Sequence, residues 1–333
     1  MPTFPRPRFG FGSRSPDGAE PRPHDVEPDV PQVEIVEHEG LRWYNLSRLG
    51  RAEVGWLQDE FDFHSLAYED VQSRNQRPKV DAYDDYLFVV LHFPDFDKSI
   101  GRLNAIELDV FVGPDFVITI PNRPLPTVEY LFSRVEHHEV ERRRLFGKGS
   151  GYLLYRIVDE CVDASFPMLR KIGNKLEQLE EDIFEGRSKE IARDISNAKQ
   201  EIINFRKIVR PQRMALKDLN VSRRYLAEDA ELYFDDVNDA SERIWDMLEN
   251  FKEVSEALED SNESVLAHAQ AHSLNVLTAI TVIVLPLTLI ASIWGMNVHV
   301  PGQDQSVPFF VLLAAMLSLL GAMVWWFRRN DLL

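Results

Sequence analysis

The side chains in this chain that could handle an ion are gathered near its end. Thr278, Thr281, Thr288 and Ser292 interrupt a long apolar run, and Asn297 follows it directly, behind Gly295 and Met296. Thr281, Thr288 and Ser292 are spaced by seven and four residues, which puts their hydroxyls on one face of a helix. Such hydroxyls line water, bond across a helix interface, or bond their own backbone four residues back. Asn297 offers a neutral amide oxygen. A hard cation such as magnesium demands octahedral oxygen and gives up its water reluctantly. A ring of amide oxygens could receive the hydrated ion without trapping it as carboxylates would. The same asparagine is also a common helix-ending residue, and its chemistry alone leaves both readings open.

Other candidates are acidic or imidazole groups. Glu69-Asp70 and Asp235-Asp236 are paired carboxylates, which read equally as a solvated surface. His268 and His272 are four apart on one helix face, and with His299 they are possible nitrogen ligands for zinc. They read also as polar residues at a membrane edge. The sequence has no phosphate-binding glycine loop, no zinc-protease histidine pair and no nucleophile elbow, so no enzymatic activity is expected. The net charge of -17 over 333 residues argues against nucleic-acid binding, which needs a basic surface. The single Cys161 excludes an internal disulfide framework and fits a reducing compartment.

What must position these groups is membrane helix. Leu274 to Met296 and Val307 to Phe327 contain no charged residue, and about 20 apolar residues span a bilayer core. The linker between them is too short for a domain, so the two spans form a tight hairpin. Neither lies where a signal peptide would. The linker carries no Lys or Arg while the tail carries Arg328 and Arg329, so the positive-inside rule puts both termini in the cytoplasm. The aromatic pair Trp325-Trp326 sits beside those arginines, where an interfacial belt is expected.

The remaining chain divides by composition. Residues 1-31, rich in Pro, Gly and Arg, are expected to be a disordered tail. Residues 32-126 read as a mixed domain of short strands (Val33 to Val36, Leu41 to Leu46, Tyr86 to Leu91, Leu108 to Val112, Phe116 to Ile120) and helical turns (Glu53 to Phe61, Leu66 to Val71). Residues 127-223 read as helical, with one helix from Tyr152 to Phe184 and another from Lys189 to Val209, broken at Pro211. From Pro211 to Pro286 there is neither Gly nor Pro. Val237, Ile244, Phe251, Leu258 and Val265 repeat every seven residues, with Ala240, Met247 and Val254 three further on, which is a heptad seam. A stalk helix over 224-296 is therefore expected to run unbroken into the first span, on the order of 100 Å long at 1.5 Å per residue. An external loop (297-306), a second span (307-327) and a cytoplasmic tail (328-333) complete the chain. The expected fold class is an α+β cytoplasmic domain, a long stalk helix and two C-terminal transmembrane helices. The seam predicts self-association, since an apolar stripe needs a partner.

Ile293-Trp294-Gly295-Met296-Asn297, closing the first of two C-terminal spans, resembles the signature of the CorA magnesium channels, the Gly-Met-Asn superfamily. The resemblance extends to Leu285-Pro286-Leu287-Thr288, to Arg77-Pro78-Lys79-Val80, to His64-Ser65-Leu66-Ala67-Tyr68-Glu69-Asp70, and to Tyr233-Phe234-Asp235-Asp236-Val237. It covers about residue 35 to the C-terminus. It implies a funnel-shaped homopentamer in the inner cell membrane that admits Mg2+, and also Co2+ or Ni2+. Gly295, Met296 and Asn297 would form the selectivity filter. Thr288, Leu285, Thr281, Leu277 and Leu274 would line the pore. Glu69 and Asp70 of one subunit would meet Asp236 of the next across a regulatory Mg2+. The partners implied are other copies of the chain, lipid and divalent cations. The sequence departs from the family pattern at Trp294, Leu274, Leu285 and Ala271, and its external loop offers only Asp304 as an acid. A zinc transporter of the same superfamily, which the Met of Gly-Met-Asn disfavours, and a membrane-tethered coiled-coil scaffold are the rival readings.

Overall fold

A computed structural model describes residues 30–73, 76–97, 102–185, 188–222, 225, 230–296 and 306–330. The N-terminal tail expectation for residues 1–29, the start of the stalk at Arg224, and Asn297 with the linker to 305 lie outside the described residues. The chain divides into two compact units. One holds residues up to His92, Ile106–Glu160 and Met214–Asp235; the other holds Phe93–Ala105, Cys161–Arg213 and Asp236 onward.

The first unit is built on a mixed sheet of order β1-β2-β6-β5-β4-β3. Strands β1 (Glu34–His38) and β2 (Leu41–Asn45) pair antiparallel with His38 opposite Leu41. Their two-residue loop, Glu39-Gly40, has φ of 51° and 88°. Two left-handed residues are what a tight hairpin turn with the right twist requires. β5 (Arg102–Val112) and β6 (Phe116–Pro121) form the expected hairpin around Gly113. A Cβ at 113 would fall 2.2 Å from the Phe116 ring, so the ring in its present position needs glycine there. β2 runs parallel to β6. β4 (Leu87–Asp97) is longer than the buried run of the sequence suggests, and β3 (Lys79–Ala82), which the sequence did not announce, pairs with it.

Helices α1 (Arg51–Glu60) and α2 (Ser65–Gln72) cover one sheet face. Their core includes Tyr44, Leu57, Phe63, Phe88 and Phe111, with Phe63 stacked on Phe111 at 4.2 Å. On the other face Trp43 meets Phe132 of α3 (Pro126–His137) edge-on at 5.0 Å. The helices α4 (Glu139–Phe146) and α5 (Ser150–Asp163) follow.

Apart from the end of β4 and the start of β5, the second unit is helical. The expected helix from Tyr152 to Phe184 is broken at Ala164-Ser165, giving α5 and α6 (Phe166–Phe184), because Pro167 in the first turn of α6 has no N–H to continue the ladder. Pro211, by contrast, does not end its helix: α7 runs Ser188–Ser222 through it. Burial of Ile208, Val209, Gln212, Ala215 and Leu216 on either side holds the helix together across the missing hydrogen bond. α8 (Ala230–Trp294) is one helix of 65 residues, and α9 (Ser306–Arg329) is the last.

Part of the α8 apolar stripe finds its partner inside the chain. Val237, Ser241, Ile244, Leu248, Ser255, Leu258 and Asn262 are buried. Phe251 lies against Gly173 of α6. The Trp245 ring is flanked by the Arg206 and Arg213 guanidiniums of α7, each 5.0 Å from its centre. The same arginines pair with Glu249 and Glu242, and Lys199 pairs with Glu259 at 2.6 Å. The seam predicted to join copies of the chain is thus used in part by α6 and α7, since the buried line steps four and three residues alternately and takes in polar positions that a seven-residue count of apolar residues passes over.

Candidate ion pathway and cation sites

The first span has two distinct faces. Ala279, Ile283 and Leu287 of α8 pack on Leu320, Met323 and Phe327 of α9. At about 100° per residue, Leu274, Leu277, Thr281, Leu285 and Thr288 share an arc centred about 160° from that packed face. All five are exposed in the single chain, Leu285 by 64 %. The same count puts His268 and His272 with the α9-facing side of α8, away from the Thr-Leu stripe. They are exposed there and are not brought to a path along the stripe.

The hydroxyls bond to their own helix. Thr281 Oγ1 donates to the Leu277 carbonyl and Thr288 Oγ1 to the Val284 carbonyl, both at 2.9 Å. With the proton so used, each oxygen keeps lone pairs to accept from outside. A hydrated cation presents water protons outward, so such acceptors suit an ion with its shell rather than a bare ion. At the end of the span Gly295 N–H donates to Ala291 C=O at 2.9 Å, and an added Cβ there would lie 3.2 Å from that oxygen. Glycine thus lets the helix close tightly before Met296, which is exposed.

Glu69 and Asp70 occupy the last turn of α2, whose N-terminus is capped by His64 Nδ1 accepting from the Leu66 N–H at 3.2 Å. Glu69 is exposed; Asp70 is half-buried and held by Lys79 at 2.6 Å. Lys79 also reaches Asp81 at 2.6 Å. Burial alone would lower the Lys79 pKa, and its hydrogen bonds to Asp70 and Asp81 raise it above the usual lysine value. Asp236, on the opening turns of α8, is exposed and belongs to the other unit. Among the described residues no three His, Cys, Asp or Glu side chains are grouped to hold a metal.

Sequence reasoning missed a second acidic place. Glu107 and Asp109, two apart on β5, are both 4 % exposed and line a cleft of about 430 Å³ at the ends of α1 and α2. Glu107 Oε2 lies 3.3 Å from His92 Nε2. Burial, then the Glu107 and Asp70 carboxylates, push the Asp109 pKa well above the ordinary value. The only sequence signal was an acid at alternate positions of a strand, which reads as a solvent face.

A strand-and-helix domain followed by a long helix that enters a pair of exposed apolar helices defines a two-span membrane protein. The family model described as CorA-like Mg2+ transporter protein matches residues 38–329. The cobalt/magnesium transport protein CorA of Thermotoga maritima is 30% identical over 291 residues, covering 86% of this chain and 82% of that protein. The zinc transport protein ZntB of Yersinia pseudotuberculosis is 18% identical over 290 residues, covering 86% of each. The structure of the CorA magnesium transporter from Methanocaldococcus jannaschii shares the fold, with a TM-score of 0.74 at 22% identity over 90% of this chain and 94% of that one. The chain belongs to the CorA family of Mg2+ and divalent-metal transporters, which are not enzymes.

Proposed function

We propose that this protein is a Mg2+ channel of the inner cell membrane, admitting Co2+ and Ni2+ as well, with both termini in the cytoplasm. The observation that carries the reading is the division of α8 into an α9-packed face and an opposite stripe of Leu274, Leu277, Thr281, Leu285 and Thr288. Two spans cannot enclose a hydrated path, so the stripe works only when several copies turn it inward. The family resemblance makes that number five. Thr oxygens freed to accept suit a hydrated ion, and Leu277 and Leu285 close the path by excluding water when the ring narrows. Gly295, Met296 and Asn297 form the entrance, where the Asn297 amide receives the shell of an ion that dehydrates reluctantly.

Intracellular Mg2+ closes the channel in this reading. Glu69 and Asp70 of one subunit and Asp236 of its neighbour repel when bare, and a bridging dication favours the closed ring. Loss of the ion shifts the population toward open states, because the ion binds the two states differently. Asp236 is exposed, as a ligand shared between copies must be in the single chain.

The test is ion uptake into vesicles carrying the purified protein. Mg2+ entry that falls sharply in Asn297→Ala supports the channel and its filter; unchanged entry sinks the filter assignment. Zinc entry without magnesium entry would transfer the function to the rival named by the zinc-transporting relative.

A further inference from the structure

We propose that the cleft floored by Glu107 and Asp109 is a second divalent-cation site, contained within one subunit and separate from Glu69, Asp70 and Asp236. Asp109 Oδ1 is buried and accepts no hydrogen bond from any described residue. Leaving a buried acceptor unpaired is costly, and more so beside a second carboxylate. Residues 107 and 109 alternate to the same face of β5 and are about 7 Å apart along the strand, so both carboxylates can turn to one ion with water between. The cleft, about 430 Å³, has room for that water.

The donor chemistry selects a hard ion. Magnesium keeps several waters and is held by one or two carboxylates, which is what this floor offers. Zinc sites are usually built around nitrogen or sulfur donors, and the His92 imidazole is already engaged with Glu107. Arg48 and Arg51 stand at the cleft and do not favour a bare dication. They would instead receive an anion carried by it. The N-terminus of α1 is a poor place for that anion, because the Glu53 carboxylate already sits there, accepting from the Gly50 and Gln32 N–H groups at 2.8 and 3.0 Å. The arginines thus favour an ion that arrives on a phosphate group over a free one, and the two carboxylates would hold either.

Fe2+ substituted for Mg2+ in the full-length protein, with ascorbate and peroxide, cuts or oxidises the chain next to bound metal, and mass spectrometry locates the damage. The expected result is damage at residues 48–55, 107–109 and 120–122 that added Mg2+ suppresses. Changing even an outer-shell group typically weakens metal binding about 10- to 100-fold, so Asp109→Asn and Glu107→Gln should each cut this damage at least about tenfold. Asp236→Ala should leave it intact. Damage with Fe2+ alone supports a free-ion site, and damage that requires added ADP supports the phosphate-borne form. No damage there in either arm, damage indifferent to both substitutions, or damage lost in Asp236→Ala would each overturn the proposal. Thermal unfolding in EDTA checks that each variant is folded, and either isosteric change suffices if the other unfolds.

Discussion

Lys79 is the residue through which the regulatory reading can be tested most sharply. It contacts Asp70 and Asp81 at 2.6 Å each, and the Lys79 and Asp70 side chains are 31% and 21% exposed. If Asp70 binds Mg2+, Lys79 competes with the ion for it. Exposed ion pairs contribute about 0.2–1 kcal/mol, and this half-buried one, shared between two aspartates, is placed near the upper end at about 1 kcal/mol after allowing for solvent screening. Since about 1.4 kcal/mol is a factor of ten, removing the lysine charge should tighten Mg2+ binding about fivefold. Lys79→Met does this while keeping an unbranched stem beside the Phe88 ring, which the ammonium overlies at 5.6 Å. Limited proteolysis across a Mg2+ titration gives the midpoint of protection, and vesicle uptake gives the internal Mg2+ that halves the flux. Both midpoints should move about fivefold lower, Lys79→Arg should leave them in place, and adding Asp70→Asn should abolish the shift. A Lys79→Met midpoint that stays put or rises would refute Asp70 as a ligand.

Three further outcomes follow from the same geometry. Thr288→Val removes an outward acceptor whose proton serves only its own helix, so folding should be unchanged while Mg2+ flux falls about fivefold, the worth of about 1 kcal/mol for one hydrogen bond; equal flux would remove Thr288 from the pathway. Ala279 is fully buried against α9, so Ala279→Leu should destabilise the hairpin by about 1–3 kcal/mol, read as a lower unfolding temperature in detergent, whereas Leu277→Ala on the opposite stripe should not. In EDTA, Asp109 holds its proton in the folded chain above the ordinary value of 3.8, so the folded state binds more protons than the unfolded one and stability must fall as pH rises from about 4. Asp109→Asn should flatten that decline, and an unchanged slope in pH-dependent unfolding would show that Asp109 is not its source.

The spans, the stalk and the hairpin around Gly113 were legible because each rests on a local signal: an uncharged run, the absence of breakers, a turn glycine. Other features depend on partners distant in sequence. Pro211 looked like a helix end, yet buried neighbours on both sides of it carry α7 through. Strand β3 is four residues beside Pro78, too short to announce itself, although it delivers Lys79 to Asp70. Glu107-Leu108-Asp109-Val110 reads as one wet and one dry face, but the sheet is covered on both, and only the fold reveals that two acids are inside. Asp236 is the hardest case, because nothing local distinguishes a ligand completed by another copy from any exposed aspartate.

The support along α8 argues for assembly more strongly than its heptads do. Among the described residues the last α7 ion pair along α8 is at Glu259, and packing on α9 begins at Ala279. Residues 260–278 between them, about 30 Å of helix, are largely exposed in the single chain; of 263–278 only Val265, Leu266 and Val276 are even half-buried. A lone helix of that length is marginal in water, and it could not carry a displacement from Asp236 to Thr288, a separation of about 80 Å along the helix. In the proposed channel this stretch must be braced by its own copies around the axis. The stripe that lines the path above would then continue below as the contact between stalks, and the sensor's effect on the pore would depend on that contact.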